Sequence, residues 1–110
     1  MGKFEMSPDA LELVAERFRS LAEPARLQLL SCLREGEKTV SELVEETGFG
    51  QANVSKHLRL LHSHRFVARR KEGLHVFYSL ADESVFELCE IVCDGIEAQA
   101  DASLRTLASS

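Results

Sequence analysis

The sequence predicts a mainly α-helical domain carrying one small β-hairpin. Three observations lead there. Five stretches show apolar residues or caps at helical spacing. Two short extended segments flank a glycine turn. Cations concentrate on the fourth helical stretch and on that hairpin. With 110 residues, 45% of them hydrophobic and 28% charged, the chain suffices for one core and not for two. A single domain over 1–110 is therefore expected, with 7–81 as core and hairpin and 82–105 as a C-terminal helix.

The first helix is expected over about 8–21. Ser7 suits its cap, Pro8 its first position, and Leu11, Val14, Phe18 and Leu21 recur at spacings of 3, 4 and 3. A second runs from Pro24 to about Arg34, with Leu27, Leu30, Cys32 and Leu33 mostly inward and Gly36 ending it. Thr39-Val40-Ser41-Glu42 is a capping box, so a short third helix spans about 40–47 and stops at Gly48. The fourth starts near Gln51 and buries Val54, Leu58 and Leu61. Extended segments follow at about 66–70 and 75–79, with Glu72-Gly73 offering the turn. Asp82 caps a last helix to about 105.

That last helix carries two stripes. Val85, Leu88, Cys89, Val92 and Ile96 fall within an arc of roughly 100°. Glu83, Glu87, Glu90, Asp94, Glu97 and Asp101 occupy another face. A small domain seldom covers so long an amphipathic helix with its own core, and a second copy of the chain is the simplest partner.

Net charge is −5, yet its distribution is uneven. Residues 51–75 hold Lys56, Arg59, Arg65, Arg69, Arg70 and Lys71 against Glu72 alone, while the other 85 residues carry 7 basic and 17 acidic side chains. All four histidines also fall in the basic window. Such segregation is an electrostatic footprint for a polyanion.

The third and fourth helices, joined by Thr47-Gly48-Phe49-Gly50, have the proportions of a helix-turn-helix. With Val54, Leu58 and Leu61 inward, Gln51, Ala52, Asn53, Ser55, Lys56 and Arg59 point outward. Gln and Asn pair with adenine edges, Lys and Arg with guanine or phosphate, and Ala touches a thymine methyl. His57 in this helix, with Arg69, Arg70, Lys71 and His75 of the hairpin, completes the expected DNA-binding set. The order helix, helix, helix, reading helix, basic hairpin, long helix is that of a winged helix.

Over about residues 10–100 the chain resembles the ArsR/SmtB family of bacterial winged-helix repressors. The carrying stretches are Leu21-Ala22-Glu23-Pro24-Ala25-Arg26-Leu27, Val40-Ser41-Glu42-Leu43, Gln51-Ala52-Asn53-Val54-Ser55-Lys56-His57-Leu58 and Phe77-Tyr78-Ser79-Leu80. The resemblance implies a homodimer joined through the first and last helices, through Leu11, Val14, Phe18, Val85, Leu88, Val92 and Ile96. It also implies an inverted-repeat operator in double-stranded DNA and release by a metal, a metalloid or an oxidant. The family's standard metal sites are absent. Thr39-Val40-Ser41 stands where thiolate-type members carry Cys-Val-Cys. Asp82-x-Ser84, Gly95 and Ala98 stand where zinc-type members carry ligands. One carboxylate does not hold a zinc ion.

Three cysteines remain as sensing candidates: Cys32, Cys89 and Cys93. Cys89 and Cys93 lie one turn apart and share a face. The three thiolates would suit a thiophilic metal or metalloid ion such as arsenite. The family resemblance implies, as an alternative, oxidation of Cys32 with a last-helix cysteine, although Cys32 is offset by one residue and Cys93 by about a turn. Each cysteine alone also reads as a small buried hydrophobe. Acidic neighbours on the last helix argue against unusually reactive thiolates.

Other classes fit poorly. No Gly-rich phosphate loop, nucleophile elbow or His-Glu-x-x-His stretch occurs, so no enzyme is expected. No apolar run approaches the ~20 residues of a membrane span. Met1-Gly2-Lys3-Phe4-Glu5-Met6 is neither a signal peptide nor a myristoylation signal, and a cytoplasmic location is expected. A metal-ion sensor with a non-standard site, and a winged helix serving only protein contact, are the competing readings.

Overall fold

The computed structural model describes residues 5–109, and side chains as far as residue 102. In chain order they form α1 (Pro8–Leu21), α2 (Pro24–Leu33), β1 (Lys38–Thr39), α3 (Val40–Thr47), α4 (Gln51–Ser63), β2 (Val67–Glu72), β3 (His75–Leu80) and α5 (Ser84–Ser109). Met1 to Phe4, on which the reading of the N-terminus partly rests, lie outside the described residues.

Local chemistry sets the helix starts. Ser7 Oγ accepts the Ala10 N–H at 3.2 Å, with Pro8 in the first turn of α1. At α3 the capping box is reciprocal: Thr39 Oγ1 accepts the Glu42 N–H, and the Glu42 carboxylate accepts the Thr39 N–H at 2.9 Å. Gly48 ends α3 at φ 75°, a left-handed position, and its N–H reaches Val44 O at 2.8 Å.

The core lies where α2, α3 and α4 meet the base of the hairpin. Leu29, Leu30, Leu43, Val54, Leu58 and Leu61 are wholly buried, closed over by Phe66, Val67, Tyr78 and Val85. A three-stranded antiparallel sheet, in the order β1-β3-β2, seals one edge. β2 and β3 pair from Val67↔Leu80 to Glu72↔His75, and β1 pairs Lys38↔Tyr78 and Thr39↔Phe77.

Several details depart from the sequence reading. β1 was not expected. The hairpin turn is Gly73-Leu74, one residue later than Glu72-Gly73, with Gly73 at φ 61°. Both strands run further than expected at their C-terminal ends, to Glu72 and Leu80, and β2 begins at Val67. In α2, Leu29 joins Leu30 and Leu33 in the core, whereas Leu27 lies at the surface. α5 continues to Ser109.

Among the described residues, the base of α5 is the part buried against its own chain. Val85 is buried and Leu88 and Cys89 are half-buried, but every residue from 90 to 102 is exposed. Asp82 holds the start, accepting the backbone N–H and the hydroxyl of Ser84 on Oδ1, while Arg17 lies 3.3 Å from Oδ2. The Ser84 hydrogen bonds, with Arg17 adding to them, hold its carboxyl below the usual range. A carboxyl lowered in this way contributes stability above the unfolded pKa and loses it as pH falls through the folded one. Asp82→Ala should therefore cost about 0.5–2 kcal/mol at pH 7. The gap between the thermal melts of the two proteins should narrow as pH falls beneath the ordinary aspartate pKa.

Candidate nucleic-acid interface

The turn between α3 and α4 is held from within. Thr47 Oγ1 donates to Leu43 O at 2.7 Å and accepts the Phe49 N–H at 3.2 Å. No side chain caps α4 at Gly50, so its first-turn N–H groups stay open to an anion. Because Val54, Leu58 and Leu61 are fully buried, the opposite side of α4 is displayed: Gln51, Ala52, Asn53, Lys56 and Arg59 are exposed, and Ser55 is half-buried. Among the described residues, neither Lys56 nor Arg59 meets a carboxylate.

His57 departs from this face. Its side chain is only 13% exposed, and Nδ1 lies 3.4 Å from Arg26 Nη1 and 3.7 Å from Glu23 Oε2. Arg26, itself mostly buried, also lies 3.5 Å from Glu23. His57 therefore ties α4 to the Glu23-Pro24-Ala25-Arg26 segment and is unavailable to DNA as placed. The sequence reading did not foresee this contact, because its partner Arg26 lies 31 residues away.

The hairpin splits its cations. Arg69 and Lys71 are exposed and carry no carboxylate partner among the described residues, and His75 is exposed. Arg70 is committed elsewhere. Its guanidinium donates to Glu37 at 2.6 and 3.3 Å and to Glu72 at 2.6 Å, and stands 4.6 Å above the Phe77 ring. It braces the hairpin against the α2–β1 connection, a contact the sequence reading did not foresee. The same contact holds the Glu37 carboxyl below its ordinary range.

The cysteines divide into two places. Cys89 (half-buried) and Cys93 (exposed) line one apolar groove of about 430 Å³ between α5 and the α1–α2 corner, together with Phe18, Leu27, Leu88 and Val92. Cys32 is half-buried at the edge of the core. Burial raises its thiol pKa, with Glu46 and Glu35 adding to the effect and Lys38 opposing it. Among the described residues no group of three or more His, Cys, Asp or Glu is arranged to hold a metal, so one chain does not assemble the expected three-thiolate site. The two positions that the family resemblance points to do not suit a metal either. Thr39 is engaged in the α3 capping box, and both Asp82 oxygens have partners in Ser84 and Arg17.

The apolar stripes are only partly covered by the described residues. Leu11 and Phe18 on α1, and Val92 and Ile96 on α5, are each at least half exposed, whereas Val14 and Leu88 are half-buried and Val85 is buried. No helix among the described residues is long and apolar enough to cross a membrane.

Known proteins share this architecture. Residues 23–69 match the model of the bacterial regulatory protein, arsR family. The chain is 40% identical over 84% of its length to a transcriptional repressor SmtB homologue of Synechocystis, covering 70% of that protein. It is 40% identical over 70% of its length to a probable mercury resistance operon repressor of Streptomyces lividans, covering 62% of that protein. The solution structure of a homodimeric winged helix-turn-helix DNA-binding domain from Mycobacterium bovis superposes with a TM-score of 0.70 at 33% identity, covering 81% of this chain and 88% of that one. With the matched segment running from the start of α2 to β2 and the fold shared beyond it, the chain belongs to the ArsR family of bacterial regulatory proteins, a family of transcriptional regulators and not of enzymes.

Proposed function

We propose that the chain is a homodimeric repressor that binds an inverted-repeat operator in double-stranded DNA and is released by a thiol-directed inducer. The observation that carries the DNA reading is the outward face of α4. Gln51, Asn53, Lys56 and Arg59 are exposed and, among the described residues, their side chains meet no hydrogen-bonding or charged partner, beside a hairpin that offers Arg69, Lys71 and His75. Bidentate amides and cations in that arrangement suit base edges and flanking phosphates. The homodimeric relative from M. bovis supports a dimer, and the apolar stripes of α1 and α5 suit its seam: Leu11, Val14, Phe18, Val85, Leu88, Val92 and Ile96. Residues 7–81 then form the DNA-reading core and 82–105 the dimerisation helix, in a protein that works in the cytoplasm where its operator is.

The inducer reading rests on Cys89 and Cys93 facing one groove at that seam. An oxidant, a reactive sulfur species or a thiophilic ion would each act there, and the relative named for mercury resistance supports thiol chemistry.

Lys56→Ala and Arg59→Ala should each weaken operator binding while leaving the dimer folded. Each lost phosphate contact should lower the slope of log affinity against log salt by about one unit. A gel-shift titration in salt measures both. Wild-type binding by both variants would remove α4 from the interface.

A further inference from the structure

We propose that Leu74, at the tip of the β2–β3 hairpin, is an apolar wedge that enters the minor groove of DNA and bends it. The inference rests on the DNA-binding reading and extends it to a residue outside the reading helix.

Leu74 is 99% exposed, so it packs on nothing in its own chain. It is the only large apolar side chain in the run Arg69-Arg70-Lys71-Glu72-Gly73-Leu74-His75, with the exposed cations Arg69 and Lys71 on the β2 side and the exposed imidazole of His75 on the β3 side. A fold has no use for a leucine there. A polyanion with an apolar interior has one: the basic flanks meet phosphates, and the leucine meets the faces of stacked bases.

The geometry of the tip suits entry. Gly73 takes φ 61° at the first position of a two-residue loop, where primed hairpin turns place glycine, so the hairpin ends as narrowly as two strands can. A two-stranded ribbon is too wide for a minor groove of ~6 Å, whereas one side chain at its apex is not. The stem is also fixed. Arg70 bonds Glu37, on the α2–β1 connection, at 2.6 Å and stacks 4.6 Å over Phe77, so the tip is presented at a set distance from α4. A wedge on a loose loop would lose part of its binding in becoming ordered; this one is ordered beforehand.

The experiment uses duplexes selected from a random library by the wild-type dimer, with 2-aminopurine placed step by step along the flank that the hairpin reaches. Wild-type protein should raise 2-aminopurine fluorescence at one step and bend the duplex, read by end-to-end energy transfer, within the range of about 20–90° seen for inserted wedges. Leu74→Ser should lose the fluorescence rise and the bend and bind about tenfold more weakly, with an unchanged salt slope because no phosphate contact is removed. Leu74→Met should keep all three properties. Circular dichroism should match for all three proteins, since position 74 contacts no core residue. If Leu74→Ser bends and binds like wild type, the wedge is refuted and the DNA reading stands. If wild type selects no duplex at all, both fall together.

Discussion

Replacing Val92 with glutamate is expected to give a folded monomer that has lost its operator. Val92 sits midway along the apolar stripe of α5 at the open side of its groove and is 54% exposed, so in a single chain a carboxylate there can turn out to water. In a dimer sealed by α1 and α5 it would be buried without a counter-charge, a cost that an interface of this kind does not absorb. Two half-sites need two linked reading helices. Uncoupling them should reduce operator affinity by roughly 10²–10⁴, the range that linkage contributes. Sedimentation and gel-shift should change together while circular dichroism stays the same. A Val92→Glu protein that still sediments as a dimer would place the interface elsewhere.

The Cys89→Ser/Cys93→Ser double variant is expected to bind DNA normally and to release it poorly when challenged with peroxide, polysulfide, arsenite or mercuric ion. Both sulfurs border the groove that Phe18 and Leu27 close from the other side. In the proposed dimer, modifying or ligating them would change how α5 sits against the α1–α2 corner, and with it the spacing of the two reading helices. A coupling of about 1–3 kcal/mol changes operator affinity roughly 5- to 150-fold, and that difference should vanish in the double variant. Cys32→Ser separates the mechanisms. If it also abolishes release, the second helix takes part, through a bridge that one chain does not pre-assemble. If it is silent, the α5 pair acts alone. A double variant that still releases DNA with every compound would make the cysteines packing residues.

How much of this was legible depended on how far apart the determining residues lie. Ser7-Pro8 and Thr39 to Glu42 are local signals, and α1 and α3 fall where those caps place them. α2 was harder because it is apolar nearly all round: Leu27, Leu29, Leu30, Cys32 and Leu33 leave periodicity no face to choose, and packing against α3 and α4 decides in favour of Leu29. β1 has two residues and no pattern of its own, existing only because Tyr78 and Phe77 pair with it. At the site, the outward face of α4 followed from its three core positions. The inward turn of His57 and the capture of Arg70 did not, since their partners Arg26 and Glu37 are 31 and 33 residues away. Charge in sequence shows where cations are, and only the fold shows which are already neutralised.

The guanidinium of Arg17 gives the molecule a single fulcrum. From α1 it donates to the carbonyl of His64 at the end of α4, pairs with Asp82 at the start of α5, and covers the Phe66 ring at 4.3 Å. Two of those elements carry the apolar seam and the third carries the reading face. α1 and α5 therefore cannot slide past each other without either dragging the tail of α4 along or breaking charged contacts at Arg17. In the proposed dimer, a disturbance where α1 meets α5 would therefore be felt at the end of α4 through this one side chain.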